Sequence, residues 1–405
     1  MLKNYALYVT LFSHLVTCFS GNQTLNGHKT TLIGNVKSNI PLKVSIIGSG
    51  SWGTVISKIV SENTQNSKIF HPLVRIYVNE EIVDNEKLSS IINEKKENVK
   101  YMKGMKLPDN IVAVSDMKDV IEDADLLVFV VPHQYLENIL NEITKNKNLK
   151  KQAKAISLMK GIQINNSKPM LLSDIIQKKL NIECSALSGS NIAEKKKHNN
   201  YLYQELSREN FSESTIGFEN IETVEIWQEL FDRTYFKINC IQDKPGVETC
   251  GALKNVVALG VGFLDAFMNS YNTKSAIIRI GLDEMKKFAK LFFPDVLDDT
   301  FLDSCGLADL ITTCLGGRNL KCAREFVIRN GKDSWERIEV ELLNGQKLQG
   351  IYTAKEVYNV LEQHKLKKEF PLFSAIYEIA FGHKNPSTII DVLSTKKLRH
   401  IKYKK

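Results

Sequence analysis

Lys254 is the first residue that invites chemistry. It stands in CGALKNVVALGVGFLDAF (Cys250–Phe267) as the single charged residue between Cys250 and Leu264, and Asn255 follows directly. Such a segment reads as a buried helix, and burying an unpaired ammonium costs several kcal/mol. Lys254 must therefore either reach water or have an assigned partner. Downstream, CGLADLITTCLGGRN (Cys305–Asn319) carries Asp309, the only acid between Asp303 and Glu325. A lysine and an aspartate in two apolar helices are each other's obvious partners. Gly316-Gly317 ends the second helix, and Arg318-Asn319 follows at once. A guanidinium fork beside a glycine turn suits a phosphate. The same residues are equally consistent with an ion pair that ties two helices together while Arg318 is simply exposed.

A second candidate lies near the start of the folded chain. LKVSIIGSGSWGTVISKIVSEN reads as a strand, a G-x-G-x-x-G turn (Gly48, Gly50, Gly53, with Ser51 and Trp52 between) and an apolar-periodic helix. The first glycine permits a tight turn, the second lets a pyrophosphate approach the backbone, and the third lets helix and strand pack closely. The diphosphate then sits at the positive end of the helix. The next strand, LVRIYVNE, ends in Asn79, Glu80 and Glu81 with no arginine after Arg75. Carboxylates there repel an added ribose phosphate, which favours NAD over NADP.

These residues must be positioned by alternating strands and helices. DLLVFVVP (Asp125–Pro132) is a continuous apolar run of the kind buried on both faces of a parallel sheet. It ends in Pro132-His133-Gln134; His133 is as consistent with a turn as with a general base and is assigned no catalytic role. A strand over Ala155–Ile162 brings Lys160-Gly161 to the same edge, and CSALSGSNIA brings Ser188-Gly189-Ser190-Asn191 there. Strand carboxyl ends face the ligand crevice in an open α/β sheet. The polar stretch Glu194–Asn210 reads as a surface helix or loop. From about Lys244 onward the pattern is helix after helix. The fold class is therefore an N-terminal α/β Rossmann-type doubly wound sheet followed by a mainly α-helical domain. The expected division is 1–42 as a leader or extension, 43–238 for the dinucleotide and 239–405 for the substrate.

The totals agree with a soluble enzyme of two domains. The chain has 405 residues, 43% hydrophobic and 25% charged, and a net charge of +8. The excess is mostly lysine, scattered among asparagines and acids, which suits a solvated surface and not a nucleic-acid groove. None of the seven cysteines has C-x-x-C spacing, so they read as reduced core residues and no metal site is expected. No Asp or Glu precedes Glu62. Residues 1–42 join a short apolar run, too interrupted for a stable membrane span, to a polar, acid-free segment. That is the composition of a two-part leader of the plastid-directed kind, or else of an untranslocated tail that leaves the protein in the cytoplasm.

In order along the chain, GSGSWG, ENVKYMKGMKLPDNIVAV, VFVVPHQ, SLMKGI, GSNIA, CGALKNVVALGVGF, GLADLITTCLGGRN and LNGQKLQG resemble the eukaryotic soluble NAD-dependent glycerol-3-phosphate dehydrogenases. The likeness runs from Val44 to the C-terminus. It implies a reversible hydride transfer between NADH and dihydroxyacetone phosphate, giving sn-glycerol 3-phosphate, a glycerophospholipid precursor. It also implies Lys254 as general acid, Lys160 as oxyanion stabiliser and Asp309 as the carboxylate that holds the catalytic lysine. Arg318 and Asn319 would grip the phosphate. Thr313, Asn255 and Asn191 would line the substrate, while Pro132, Ala193, Arg318 and Gln349 would join Gly48, Gly50, Ser51, Trp52 and Gly53 around the cofactor. A homodimer is implied too. The chain departs from the family after Ala193, where Lys195–Lys197 opens an insertion at the crevice rim.

Two other readings keep part of this. A β-hydroxyacid or 6-phosphogluconate-type dehydrogenase shares the two-domain plan and a helix lysine beside an asparagine, but lacks the GGRN element. A catalytically silent relative should have lost Lys254, Asp309 or Arg318, and all three are present.

Overall fold

The computed structural model describes residues 40–146, 148–166, 168–192, 195–198, 201–203, 206–343 and 347–395. The leader expected over 1–42 therefore lies almost wholly outside the described residues, as does Ala193.

Eight strands form one sheet: β1 (Leu42–Ile47), β2 (Phe70–Tyr77), β3 (Ile111–Val114), β4 (Leu126–Phe129), β5 (Lys154–Ser157), β6 (Cys184–Ser190), β7 (Ser212–Gly217) and β8 (Phe236–Ile241). Their order across the sheet is β8-β7-β6-β5-β4-β1-β2-β3. All neighbours are parallel except β6 and β7, which run antiparallel. The sequence order reverses where β1 lies between β2 and β4, which makes their carboxyl ends a ligand crevice.

The helices α1 (Ser51–Asn66), α2 (Leu88–Lys95), α3 (Met117–Ile121), α4 (Leu136–Lys145), α5 (Leu172–Leu180) and α6 (Ile221–Phe231) connect these strands. Period-two alternation decides which face each side chain serves. Val44 and Ile46 of β1 pack in one apolar cluster with Val55, Ile59 and Trp227, while Ile47 packs in another with Leu127, Phe129 and Leu140. With a core on each face, the central strand LLVF is buried at every residue, as its unbroken apolar run requires.

Beyond β8 come α7 (Lys244–Asp265), α8 (Tyr271–Phe292), α9 (Asp309–Gly316), α10 (Arg318–Ile328), α11 (Trp335–Leu343), α12 (Gln349–Gln363), α13 (Pro371–Ala380) and α14 (Thr388–Thr395). Asp243 starts α7 by accepting the Gly246 N–H at 2.7 Å, with Pro245 in the first turn. By length and composition α7 could cross a membrane, yet its apolar stretch is wholly buried inside the protein. It is the axis of the helical half. Gly262 lets α10 approach: an added Cβ there would lie 2.4 Å from the Leu320 carbonyl oxygen.

Three details differ from the sequence reading. The strand expected over Ala155–Ile162 stops at Ser157, and Ile162–Asn165 instead pairs antiparallel with Lys168–Leu171. After the strand ends, Lys160 reaches Asp309 and Gly161 lies against His133. The polar stretch after Ala193 contains an antiparallel pair, 195–198 with 201–203, where a surface helix or loop was expected. Finally, the segment leading into α9 is a π-helical turn, Ser304–Ala308. Such turns are frequent at functional sites.

Candidate active site

The first glycine of GSGSWG has φ +125°, a conformation that side chains avoid, and an added Cβ would lie 2.6 Å from the Val130 carbonyl oxygen. At Gly53 a Cβ would lie 2.2 Å from the Gly48 oxygen, whereas Gly50 faces open space. Gly50 precedes α1 without any side-chain cap, and the first turn of α1 holds no acid. A backbone cradle with free N–H groups and nothing to repel an anion fits the pyrophosphate of a dinucleotide. Trp52 turns its ring edge-to-face onto Phe236, 6.3 Å between centroids, so the side chain packs and leaves the turn to its backbone. Pro132 follows β4, two residues after Val130, whose carbonyl oxygen the Gly48 turn approaches.

Sequence reasoning passed over the residue that braces the cradle. Asn98 is fully buried and donates to the Ser49 carbonyl at 2.8 Å and to Thr54 Oγ1 at 2.9 Å. Spacing gives no signal for it, because its partners lie over 40 positions away. The acids after β2 are engaged as well: Glu80 accepts from Ser89 Oγ at 2.6 Å, and Glu81 accepts from Tyr101 Oη at 2.9 Å and pairs with Lys100.

Across the crevice, α7 presents Lys254 and α9 presents Asp309. Their side chains meet in an ion pair, and Lys254 Nζ also donates to Thr313 Oγ1 at 2.8 Å. Lys254 is 5% exposed and Asp309 1%. The second carboxylate oxygen accepts from Lys160 Nζ at 3.1 Å. Lys160 further donates to Asn191 Oδ1 and the Gly189 carbonyl, both at 3.2 Å, and Asn191 is braced by Ser214 Oγ at 2.8 Å. Gly251, one turn before Lys254, leaves room for this arm: a Cβ would lie 2.5 Å from Ser188 Oγ and 3.7 Å from Lys160 Cγ.

One carboxylate thus holds two lysines. Burial pulls the pKa of Lys254 down to about 7; Asp309 opposes that shift and Lys160 adds to it. A buried amine that exchanges a proton near neutrality, in a crevice, is what acid–base catalysis at a carbonyl needs. The π-helical turn delivers Asp309 to it. Ser304 Oγ donates to the Glu213 carbonyl at 2.7 Å, and Cys305 N–H donates to Thr215 Oγ1 at 3.2 Å, docking the turn on β7. A hydrogen bond of 2.6 Å between Ser190 and Thr312 hydroxyls adds a second tie that sequence reading did not single out.

The two asparagines pair with each other. Asn319 Nδ2 donates to Asn255 Oδ1 at 2.9 Å, and Asn319 Oδ1 accepts the Gly350 N–H at 2.9 Å. They join α7, α10 and the first turn of α12 beside Lys254. Arg318 opens α10 after the capping residue Gly317; the residue is exposed overall, while the protein around its guanidinium desolvates it and lowers its pKa. Gln349, the first residue of α12, reaches the sheet edge and accepts from His133 Nδ1 at 2.7 Å. The structure therefore assembles Lys254, Lys160, Asp309, Thr313 and Asn191 in one network, with Asn255, Asn319 and Gln349 in a second beside it.

A dinucleotide cradle facing a buried lysine–carboxylate pair defines a dinucleotide-dependent oxidoreductase. Residues 43–223 match the NAD-dependent glycerol-3-phosphate dehydrogenase N-terminus and residues 243–391 the C-terminus. The chain belongs to that family and is an NAD-dependent glycerol-3-phosphate dehydrogenase by fold, cofactor and reaction class. It is 47% identical over 340 residues to the cytoplasmic NAD+ enzyme of Homo sapiens, covering 84% of this chain and 93% of that one. To the chloroplastic NAD+ enzyme 1 of Arabidopsis thaliana it is 43% identical over 365 residues, covering 90% and 88%. The solved structure of Plasmodium falciparum glycerol-3-phosphate dehydrogenase superposes with a TM-score of 0.82 at 44% identity, covering 93% of this chain and 99% of that chain.

Proposed function

We propose that the chain interconverts dihydroxyacetone phosphate and sn-glycerol 3-phosphate, with Lys254 as the acid of reduction and the base of oxidation. The observation that carries this reading is the buried Lys254 ammonium paired with Asp309, poised near neutrality. The GSGSWG cradle would hold NADH, which would supply the hydride that the carbonyl carbon of the substrate accepts. The carbonyl π electrons move to oxygen, and Lys254 Nζ gives that oxygen its proton. Lys160, held by Asp309 and Asn191, places a second positive charge where the oxyanion develops. In the reverse direction the neutral Lys254 amine takes the hydroxyl proton. Arg318 and the N-terminal N–H groups of α10 hold the phosphate of the substrate. Asn191, Thr313, Asn255 and Asn319 fix the lysines and the walls around it.

In this reading residues 43–238 serve the dinucleotide and 239–405 the substrate, and two copies associate as a homodimer. Light scattering of the purified protein tests the dimer. Location turns on residues 1–42, and a fusion of them to a fluorescent reporter separates an organelle from the cytoplasm.

The activity test follows NADH absorbance with dihydroxyacetone phosphate for the wild type and Lys254→Ala. Oxidation that collapses in the variant supports reaction, substrate and acid together. NADH binding without oxidation would sink the proposed substrate and send the search to β-hydroxyacids and 6-phosphogluconate.

A further inference from the structure

His133 is a half-buried imidazole that the chemistry above does not use. It stands four residues after β4, at the carboxyl edge of the sheet, and three residues past Val130, the residue against which the Gly48 turn packs. Its ring lies on Gly161: a Cβ added there would be 2.9 Å from Nδ1. Nδ1 is 2.7 Å from Gln349 Oε1, 216 positions away. Gln349 Nε2 points to Gln134 Oε1 at 3.5 Å, which orients the amide with its oxygen toward the imidazole. Nδ1 therefore carries the proton. Burial lowers the His133 pKa, so the ring is neutral at pH 7. Tyr352, one turn into α12, sets its ring edge-on to the imidazole at 6.5 Å.

The other side of the same peptide is held too, by the Gly350 N–H on Asn319 Oδ1. Gly350 has no room for a side chain, since a Cβ would lie 2.5 Å from that oxygen and 2.7 Å from the Asn255 carbonyl. The start of α12 is thus clamped between the sheet edge, through His133, and the helical half, through Asn319. Val130 and Val131, which lead directly into Pro132-His133, pack against Gly48 of the dinucleotide turn, so the clamp begins beside that cradle.

We propose that His133 is a positioning residue for the cofactor: it fixes the Gln349 amide and the first turn of α12 as one wall of the dinucleotide crevice. This inference rests on the dinucleotide site of the proposed function, but not on its substrate. Losing a part-buried hydrogen bond of this kind should weaken NADH binding by about 2- to 10-fold in His133→Ala. The KM for the carbonyl substrate and kcat at saturating NADH should move far less.

The test is NADH fluorescence titration of the full chain, wild type against His133→Ala, His133→Asn and Gln349→Ala, with steady-state kinetics alongside. The expected result is a loss of NADH affinity in His133→Ala, partial rescue in His133→Asn through its amide N–H, and no additional loss when His133→Ala is combined with Gln349→Ala. Unchanged NADH affinity in His133→Ala, or additive losses in the double variant, would overturn the proposal. Should His133→Ala fail to fold, the same comparison between His133→Asn and Gln349→Ala decides it. Wild-type turnover is read in the same samples, so a wrong substrate would show as absent oxidation while the NADH titration still tests His133.

Discussion

Lys254 and Asp309 form a buried ion pair between two helices, 55 positions apart in the chain. The second oxygen of Asp309 is taken by Lys160. The carboxylate therefore compensates for the burial of one ammonium while holding another close enough to depress its pKa.

The pH dependence follows from that arrangement. Reduction needs the ammonium form of Lys254, so its rate should fall as pH rises through about 7; oxidation needs the amine and should rise through the same range. Lys160→Met removes a positive neighbour that disfavours the charged form, and should move the inflection upward. Rate profiles of kcat in both directions check this, and a flat profile between pH 6 and 8 in both would count against Lys254 as the group that titrates.

Lys254 should be a residue that serves activity at some expense of stability. Its lowered pKa means that the folded protein binds fewer protons than the unfolded chain between about 7 and the usual lysine range. The contribution of Lys254 to stability is thus least favourable below pH 7 and improves as pH rises through that window. Lys254→Met should lower turnover by roughly a thousandfold or more, and because it leaves the buried Asp309 carboxylate with Lys160 as its remaining ion-pair partner, it should also lower Tm at pH 6. A Tm loss of several degrees with activity retained would reverse the assignment.

Gly53→Ala tests the cradle. A Cβ at 2.2 Å from the Gly48 oxygen forces the turn apart, so NADH affinity should fall by at least about tenfold. Gly50→Ala meets no protein atom within 4 Å, so any loss of NADH affinity there must come from the ligand itself. Titration of both variants separates a collapsed turn from a blocked one.

Arg318→Ala should raise the KM for dihydroxyacetone phosphate by about 10- to 100-fold, with Arg318→Lys recovering only part because a point charge cannot match the fork. Unphosphorylated dihydroxyacetone, as a poor substrate, should show little difference between variant and wild type. Equal losses on both substrates would mean that Arg318 does not hold the phosphate.

Local pieces of the protein can be read from its amino acids alone. A backbone at φ +125° calls for glycine, and a strand buried on both faces calls for an unbroken apolar run such as LLVF, so the dinucleotide turn and the sheet were legible. A lone lysine and a lone aspartate in apolar helices announced each other for the same reason: uncompensated burial of charge is too costly to leave unexplained. Contacts between distant segments were decided only by the tertiary structure. The bond from Asn98 to Ser49, that from His133 to Gln349, the pairing of Asn255 with Asn319 and the second lysine on Asp309 leave no periodic trace. Nor does composition give away the π-helical turn before Asp309, since its backbone geometry goes with its docking on β7 through Ser304 and Cys305. Periodicity reports which face of an element is buried, and only the packed fold reports what that face meets.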